Sequence, residues 1–295
     1  IYMNIRHTFI LLLCIFTLFS CTEKSSKTET KSDYVKAEKN LVGLFNGKIF
    51  CIPSPYKFAQ HILNLQLPYN PTILNSTAHK FLYESTFKKC INLGIYGIDL
   101  AYINTHEQST DALQYFSAIK SISDEVGISD VFDIQTIERV ENNIESKDSM
   151  LFILSNKYRE IDLLLKTENQ KNLAALILTG SWLESLYLLT ELEKERPHSQ
   201  TREHISEHMF SANSILGLLK PFYNTGEEYK LLTDKIVDIC YWFDGVSYDY
   251  TYSKPITYPE IKRTVFTSKS SIKIYPEHLE NITKQVNELR NSLIK

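Results

Sequence analysis

The chain has 295 residues, with 32 basic and 35 acidic side chains and a net charge of −3. Nucleic-acid binding is disfavoured, because it depends on clustered lysine and arginine that neutralise phosphates, and the sequence shows no such patch. The five cysteines have neither the C-x-x-C spacing of a zinc site nor the density of a disulfide scaffold.

Residues 1–20 have the outline of a secretory signal peptide. Arg6 and His7 precede a largely apolar run from Phe9 to Phe19. This run is shorter than the roughly 20 apolar residues that a membrane-spanning helix needs. We therefore expect the segment to direct export and to be removed, rather than to remain as a transmembrane helix.

The run ends in Leu18-Phe19-Ser20-Cys21, which resembles the lipobox of bacterial lipoproteins. The resemblance implies diacylglycerol transfer to the Cys21 thiol, cleavage before this residue, and anchoring in a membrane of the cell envelope, with the outer membrane favoured. The alternative is an ordinary secretory signal that has a cysteine near its cleavage site. Glu23 and Glu29 stand apart, so the periplasmic and the surface-facing orientation both stay open.

Residues 21–32 predict a flexible tether, because no apolar residue follows Cys21 there and charges of both signs are mixed. Residues 33–295 are predicted to form the folded domain. Without residues 1–20 the chain has 31 basic and 35 acidic side chains, a net charge of −4. Cys51, Cys90 and Cys240 would then allow at most one disulfide.

The domain is predicted to be all-α, a multi-helix bundle with a small extended excursion near the C-terminus. Apolar residues recur with helical spacing between scarce glycines and prolines, and Gly127, Pro197 and Pro221 mark helix ends. The predicted helices span residues 33–45, 54–65, 76–93, 95–126 with a break, 134–145, 149–166, 170–195, 201–219 and 227–243.

The excursion covers residues 245–274. Its tyrosines alternate with polar residues at 248, 250 and 252, which is typical of an extended strand, and prolines interrupt it at 255 and 259. A terminal helix is then predicted at residues 276–294, because five apolar residues fall on one face. These residues are Leu279, Ile282, Val286, Leu289 and Leu293.

Two stretches mix glycine, aromatic residues and one carboxylate within apolar helices. They are residues 92–102, NLGIYGIDLAY, and residues 176–187, LILTGSWLESLY. Gly94, Gly97 and Ala101 share one helical face, and Gly180 has a similar place in the second stretch. Glycine costs about 1 kcal/mol relative to alanine inside a helix. We therefore expect either another backbone or a ligand to pack closely against this face.

The stretches resemble those of a family of uncharacterised Bacteroidetes lipoproteins, which carry N-L-G-I-Y-G-x-D-L-x-Y and G-x-W-x-E-x-L-Y. Further positions of the resemblance are Pro53-Ser54-Pro55, Tyr69-Asn70, Leu74-Asn75 and Lys147-Asp148-Ser149. The resemblance covers most of the chain after the signal peptide. It implies lipoprotein export and a helical fold, and it implies no activity.

The two carboxylates allow two hypotheses. As structural anchors, Asp99 and Glu184 would each accept hydrogen bonds from a tyrosine or a backbone end and fix the helix register. As a ligand pocket, they would orient a polar ligand between aromatic walls. The candidate pocket residues are Tyr96, Asp99, Tyr102, Trp182, Glu184 and Tyr187.

His204 and His208 lie four apart with Glu203 and Glu207 beside them, a spacing that can bind a metal ion. The zinc-protease pattern H-E-x-x-H is not matched by H-I-S-E-H, and a third ligand would have to come from His106-Glu107 or His198. We therefore predict a solvated helix face, with no metal and no cofactor.

The sequence contains no G-x-S-x-G motif and no glycine-rich phosphate loop. This lowers the expectation of catalysis without eliminating it, and no catalytic residue is assigned. The leading hypothesis is a membrane-anchored binding or scaffold domain whose partner is an envelope protein or a small ligand. The alternative is an envelope hydrolase or other enzyme that uses Asp99 and Glu184 as acid and base.

Overall fold

A computed structural model describes residues 41–45, 48–52, 55–164 and 170–295. The predicted signal peptide, the predicted lipidation site at Cys21 and the predicted tether lie outside the described residues. The described part is predominantly helical with a few short antiparallel strands, which confirms the predicted all-α bundle. Its helices are α1 Pro55–Leu65, α2 Thr86–Thr105, α3 Ser109–Glu125, α4 Ile134–Asn143, α5 Lys147–Leu164, α6 Lys171–Glu195, α7 Ser199–Leu219, α8 Glu227–Phe243 and α9 Pro276–Leu293.

Helices α2 and α6 form the centre of the bundle. Burial is continuous from Cys90 to Thr105 in α2 and from Ala174 to Thr190 in α6. A helix that is apolar on all sides has to be surrounded by protein, and here the other helices surround both. Among the described residues, only α6 is long and apolar enough to cross a membrane, and its apolar window is completely buried within the protein.

The two central helices cross at a pair of glycines. A Cβ added to Gly94 would lie 2.0 Å from the carbonyl oxygen of Ile177, and one added to Gly180 would lie 2.0 Å from that of Ile91. The predicted close backbone approach is therefore confirmed for both residues. Gly97 contacts a side chain instead, since its added Cβ would lie 2.6 Å from the hydroxyl oxygen of Tyr158.

Two predicted helix boundaries are wrong. Helix α2 runs through Gly94 without a break, because this glycine serves the crossing with α6 and does not end a helix. The break predicted within residues 95–126 is confirmed and lies at residues 106–108, where Glu107 adopts a left-handed conformation with φ of 57°. Residues 76–85, predicted as helix, instead hold the 3₁₀ segment Thr77–Leu82.

The helix predicted at residues 33–45 is also wrong over residues 41–45. Strands β1 Leu41–Phe45 and β2 Lys48–Ile52 pair antiparallel there, with Phe45 opposite Lys48. Asn46-Gly47 stands between them in the sequence, and this dipeptide between apolar runs is the strongest short-range signal for a hairpin. The apolar residues of this stretch also fit a helical spacing, so their spacing alone does not distinguish the hairpin from a helix.

The excursion at residues 245–274 consists of two antiparallel pairs. Strand β3 Ser247–Thr251 pairs with β6 Lys269–Lys273, and between them β4 Ile256–Tyr258 pairs with β5 Arg263–Val265. Helix α9 follows and returns the chain to α6 and α8.

Candidate functional site

The centre of the bundle contains a buried ion pair between α6 and the terminal helix. Arg290 donates from Nε to Oε2 of Glu184 at 3.0 Å and from a terminal nitrogen to Oε1 at 2.9 Å. Glu184 has no exposed surface, and Arg290 is only 4% exposed. The guanidinium also donates to the carbonyl of Ile73 and lies 4.1 Å from the ring centre of Tyr187. Both charges are thus paired and orientated in the core.

Asp99 of α2 lies beside this pair and is also completely buried. Its Oδ2 accepts the N–H of Asn75 at 3.1 Å, whereas its Oδ1, within the described part of the chain, has no donor. Burial raises the pKa of Asp99 well above its ordinary value, and the charge of Glu184 raises it further, against the opposing effects of Arg290 and Asn75. The carboxyl of Asp99 is therefore protonated more readily than that of an exposed aspartate, beside a Glu184 carboxylate that is paired with Arg290.

The same network holds the loop before α2. The Asn75 amide donates to the hydroxyl of Tyr83 at 2.9 Å and to Oδ1 of Asn92 at 3.1 Å. Asn92 in turn donates to the carbonyl of Leu293 at 2.9 Å. The loop, α2, α6 and the end of α9 are thus joined by buried hydrogen bonds.

The six candidate pocket residues do not surround one space. Asp99 and Glu184 meet, and Tyr187 contacts them through Arg290. Tyr96 donates to the carbonyl of Ser76 at 2.8 Å and reaches the network only through Tyr83, whose hydroxyl is 3.4 Å away. Tyr102 accepts the N–H of Asn70 at 3.1 Å, and Trp182 donates to Ser211 of α7 at 2.9 Å.

This geometry favours the structural role of the carboxylates. Both oxygens of Glu184 accept hydrogen bonds in the ion pair. Asp99 accepts a hydrogen bond from a backbone N–H, which is one of the two kinds of donor that the anchor hypothesis expects. Tyrosine hydroxyls, the other partners considered, bond elsewhere. The two carboxylates balance the charge of the buried Arg290. Their hydrogen bonds help to link the loop before α2 to helices α2, α6 and α9.

The predicted histidine pair is divided between two environments. His208 is buried, with its Nε2 at 2.9 Å from the hydroxyl of Ser185 and its Nδ1 at 2.9 Å from the carbonyl of His204. His204 instead pairs with Glu207. His198 caps α7, and Glu107 pairs with Lys147. In the part of the chain that the structure describes, no three histidine, cysteine or acidic side chains are placed to hold a metal.

Cys90 and Cys240 are free thiols. Burial raises the pKa of Cys90 to about 12 and that of Cys240 to about 11. Both are therefore protonated at neutral pH, and a thiol in this state is a poor nucleophile.

An open groove lies between α8, α9 and the first turn of α2, with a volume of about 350 Å³. This is within the usual range for small-molecule sites, about 300 to 1,000 Å³. Leu231 at its side is 56% exposed, and the buried Oε1 of Gln285 has no hydrogen-bond partner among the described residues. The apolar lining residues are Phe87, Leu231, Leu232, Leu289 and Leu293, and the charged ones are Lys88, Glu228, Lys235, Asp238 and Glu288.

The sequence prediction missed Arg290, the partner that explains Glu184. A signal was present, because Arg290 follows Val286 by four residues and therefore continues the apolar face of the terminal helix. A charged residue on a buried face requires a buried partner of opposite charge. The groove was missed because its walls come from three helices that are distant in sequence.

This chain matches no protein-family model, no curated protein and no solved structure. Its function therefore has to be inferred from its own residues.

Proposed function

We propose that this chain is a lipid-anchored envelope lipoprotein whose helical domain binds a small amphipathic ligand. The observation that carries the binding proposal is the groove between α8 and α9. It combines an exposed apolar wall at Leu231 with an unsatisfied buried acceptor at Gln285. A ligand with an apolar body and one N–H or O–H donor would satisfy both features.

The anchoring part of the proposal rests on the lipobox-like residues that end at Cys21. Acylation there would hold the domain at a membrane, since several acyl chains together give a stable anchor where one does not.

The positions of Asp99 and Glu184 support binding rather than catalysis as the proposed role. An acid and a base have to reach the substrate within hydrogen-bond distance. Asp99 and Glu184 have no exposed surface, and Glu184 is held by two hydrogen bonds from Arg290.

The groove is tested with N-phenyl-1-naphthylamine, a fluorescent probe with an apolar body and one N–H donor. We expect saturable binding that is weakened at least about tenfold by Leu231→Arg, because a charge would enter the apolar wall. Gln285→Leu should weaken it about fivefold, the value of one hydrogen bond. Leu113→Arg on α3 is the control, since Leu113 is also exposed. Equal weakening by this control would contradict the groove as the binding site.

The anchor is tested by metabolic labelling with a palmitate analogue in a bacterial host. The wild-type chain should incorporate the label and be cleaved, whereas Cys21→Ser should remain unlabelled and uncleaved, because the thiol is the acceptor of the lipid. Cys90→Ser serves as the control. A labelled Cys21→Ser protein, or an unlabelled wild type, would show that the chain is not a lipoprotein of this type.

A further inference from the structure

The middle of the excursion, residues 252–269, differs in charge from the rest of the protein. We call it the tip hairpin; it contains strands β4 and β5. It has four basic residues and one acidic residue, a net charge of +3, whereas the whole chain carries −3. The basic residues are Lys254, Lys262, Arg263 and Lys269. An acidic protein therefore presents one locally basic element.

The tip hairpin also exposes its large apolar side chains. Phe266 is 79% exposed and Ile261 is 62% exposed, and Tyr252, Ile256 and Tyr258 are exposed as well. Single exposed apolar residues are ordinary, but several on one short hairpin mark a contact surface.

The strand register places apolar and basic groups side by side. Ile256 pairs with Val265, and Tyr258 pairs with Arg263. Directly paired residues lie on the same face of an antiparallel ribbon, so these four side chains share a face. The turn between the strands adds Ile261, followed by Lys262 in a left-handed conformation with φ of 50°. The end of the ribbon thus combines the apolar Ile261 with two cations, Lys262 and Arg263, and one carboxylate, Glu260.

The base of the excursion is attached to the bundle. Tyr248 makes an edge-to-face contact with Phe210 of α7, with ring centres 5.7 Å apart. Where the tip hairpin leaves this base, its two strands are held to each other, because the backbone N–H of Ser253 donates to the hydroxyl of Ser268 at 3.1 Å. The tip is therefore presented on an ordered ribbon.

We infer that the tip hairpin docks on an anionic lipid surface. Aromatic and aliphatic side chains partition into the headgroup boundary, while lysine and arginine pair with anionic headgroups. Among acidic partners, the choice of a lipid surface rests on the proposed anchor at Cys21, which would keep the domain near a bilayer. The hairpin would then provide a second, reversible contact that sets the orientation of the domain.

The test uses the full mature chain from residue 21 with Cys21→Ser, so that no acyl chain contributes. Its sedimentation is measured with vesicles of phosphatidylcholine alone and with vesicles that also contain phosphatidylglycerol. We expect binding only to the second kind, and we expect it to weaken as salt is added. Two double variants, Ile261→Ser with Phe266→Ser and Lys262→Glu with Arg263→Glu, should each lower the partition coefficient at least about tenfold. All four positions are exposed, so the variants should retain the wild-type melting temperature.

Phe81→Ser is the matched control, because Phe81 is 81% exposed but lies outside the excursion. It should leave vesicle binding unchanged. The inference is overturned if the wild type does not bind anionic vesicles, if either double variant binds as well as the wild type, or if Phe81→Ser lowers binding equally. Self-association that is lost in the double variants, without vesicle binding, would identify a second copy as the partner instead. None of these outcomes bears on palmitate labelling at Cys21, so failure of the anchor is detected separately.

Discussion

Replacement of Arg290 with methionine should lower the free energy of unfolding by about 3 to 5 kcal/mol, because it leaves the charge of Glu184 buried without a partner. Glu184→Gln should also lower the free energy of unfolding, because it removes the charged partner of the guanidinium. The guanidinium would then lie buried among Ile73, Tyr187 and Asp99. Denaturant unfolding with a fixed m-value measures both.

A double variant and a surface variant serve as controls. Arg290→Met combined with Glu184→Leu should recover most of the loss, because apolar replacement of a buried pair is often close to neutral. Lys147→Met removes an exposed pair with Glu107 and should cost less than about 1 kcal/mol. If Arg290→Met costs no more than Lys147→Met, the buried pair is not an anchor.

Asp99→Asn is a further control beside the Arg290–Glu184 pair, and the structure changes the stability expected for it. The anchor hypothesis by itself predicts that Asp99→Asn and Glu184→Gln each lower stability. Asparagine, however, resembles a protonated aspartate, the form that burial favours at Asp99, and keeps an oxygen for the N–H of Asn75, so its cost should be small. Because the pKa of Asp99 is raised in the folded protein, the folded carboxyl holds a proton at pH values where the unfolded chain, with an aspartate pKa of about 4, has released it. Wild-type stability from this group therefore falls as the pH rises above about 4, and Asp99→Asn should gain in stability relative to the wild type over that rise.

Gly94→Ala and Gly180→Ala should each destabilise the protein by about 1 to 3 kcal/mol or more, although alanine is the better helix former. Each new Cβ would lie 2.0 Å from a backbone carbonyl of the opposite helix. Backbone cannot rotate aside, so α2 and α6 have to separate, and overpacking of this kind outweighs the propensity of about 1 kcal/mol. Thermal melts of the single variants measure the effect.

The matched control is Gly217→Ala, which should stabilise the protein rather than destabilise it. Gly217 lies within α7, and a Cβ added there meets nothing within 4 Å. Only the higher helix propensity of alanine then acts, so we expect the free energy of unfolding to rise by up to about 1 kcal/mol. Gly97→Ala should show a smaller loss than Gly94→Ala, because it meets the hydroxyl end of Tyr158 rather than backbone. Stabilisation by Gly94→Ala would contradict the close crossing.

The two glycine-containing stretches, residues 92–102 and 176–187, supply residues of the buried centre. Asn92, Gly94 and Asp99 of the first stretch and Gly180 and Glu184 of the second make the crossing and the polar network. Asn75 supplies the N–H that Asp99 accepts. In the structure, these residues determine how the central helices pack.

The sequence by itself determined the local features. Apolar spacing predicted most of the helices, the alternating tyrosines predicted the extended excursion, and the glycine spacing predicted a close helix contact. These features depend on residues a few positions apart, where one turn of helix or one strand repeat is decisive. The hairpin at residues 41–52 was also readable from Asn46-Gly47, but an apolar run does not distinguish helix from strand by period alone.

Only the tertiary structure determined which side chains that are distant in sequence contact one another. Arg290 and Glu184 are 106 residues apart in sequence, and Asn92 and Leu293 are 201 apart, so no periodicity joins them. The raised pKa of Asp99 depends on burial and on a neighbouring charge, both of which exist only after α2, α6 and α9 have packed. The same is true of the groove and of the exposed tip hairpin, because exposure is the result of what the remaining helices leave uncovered.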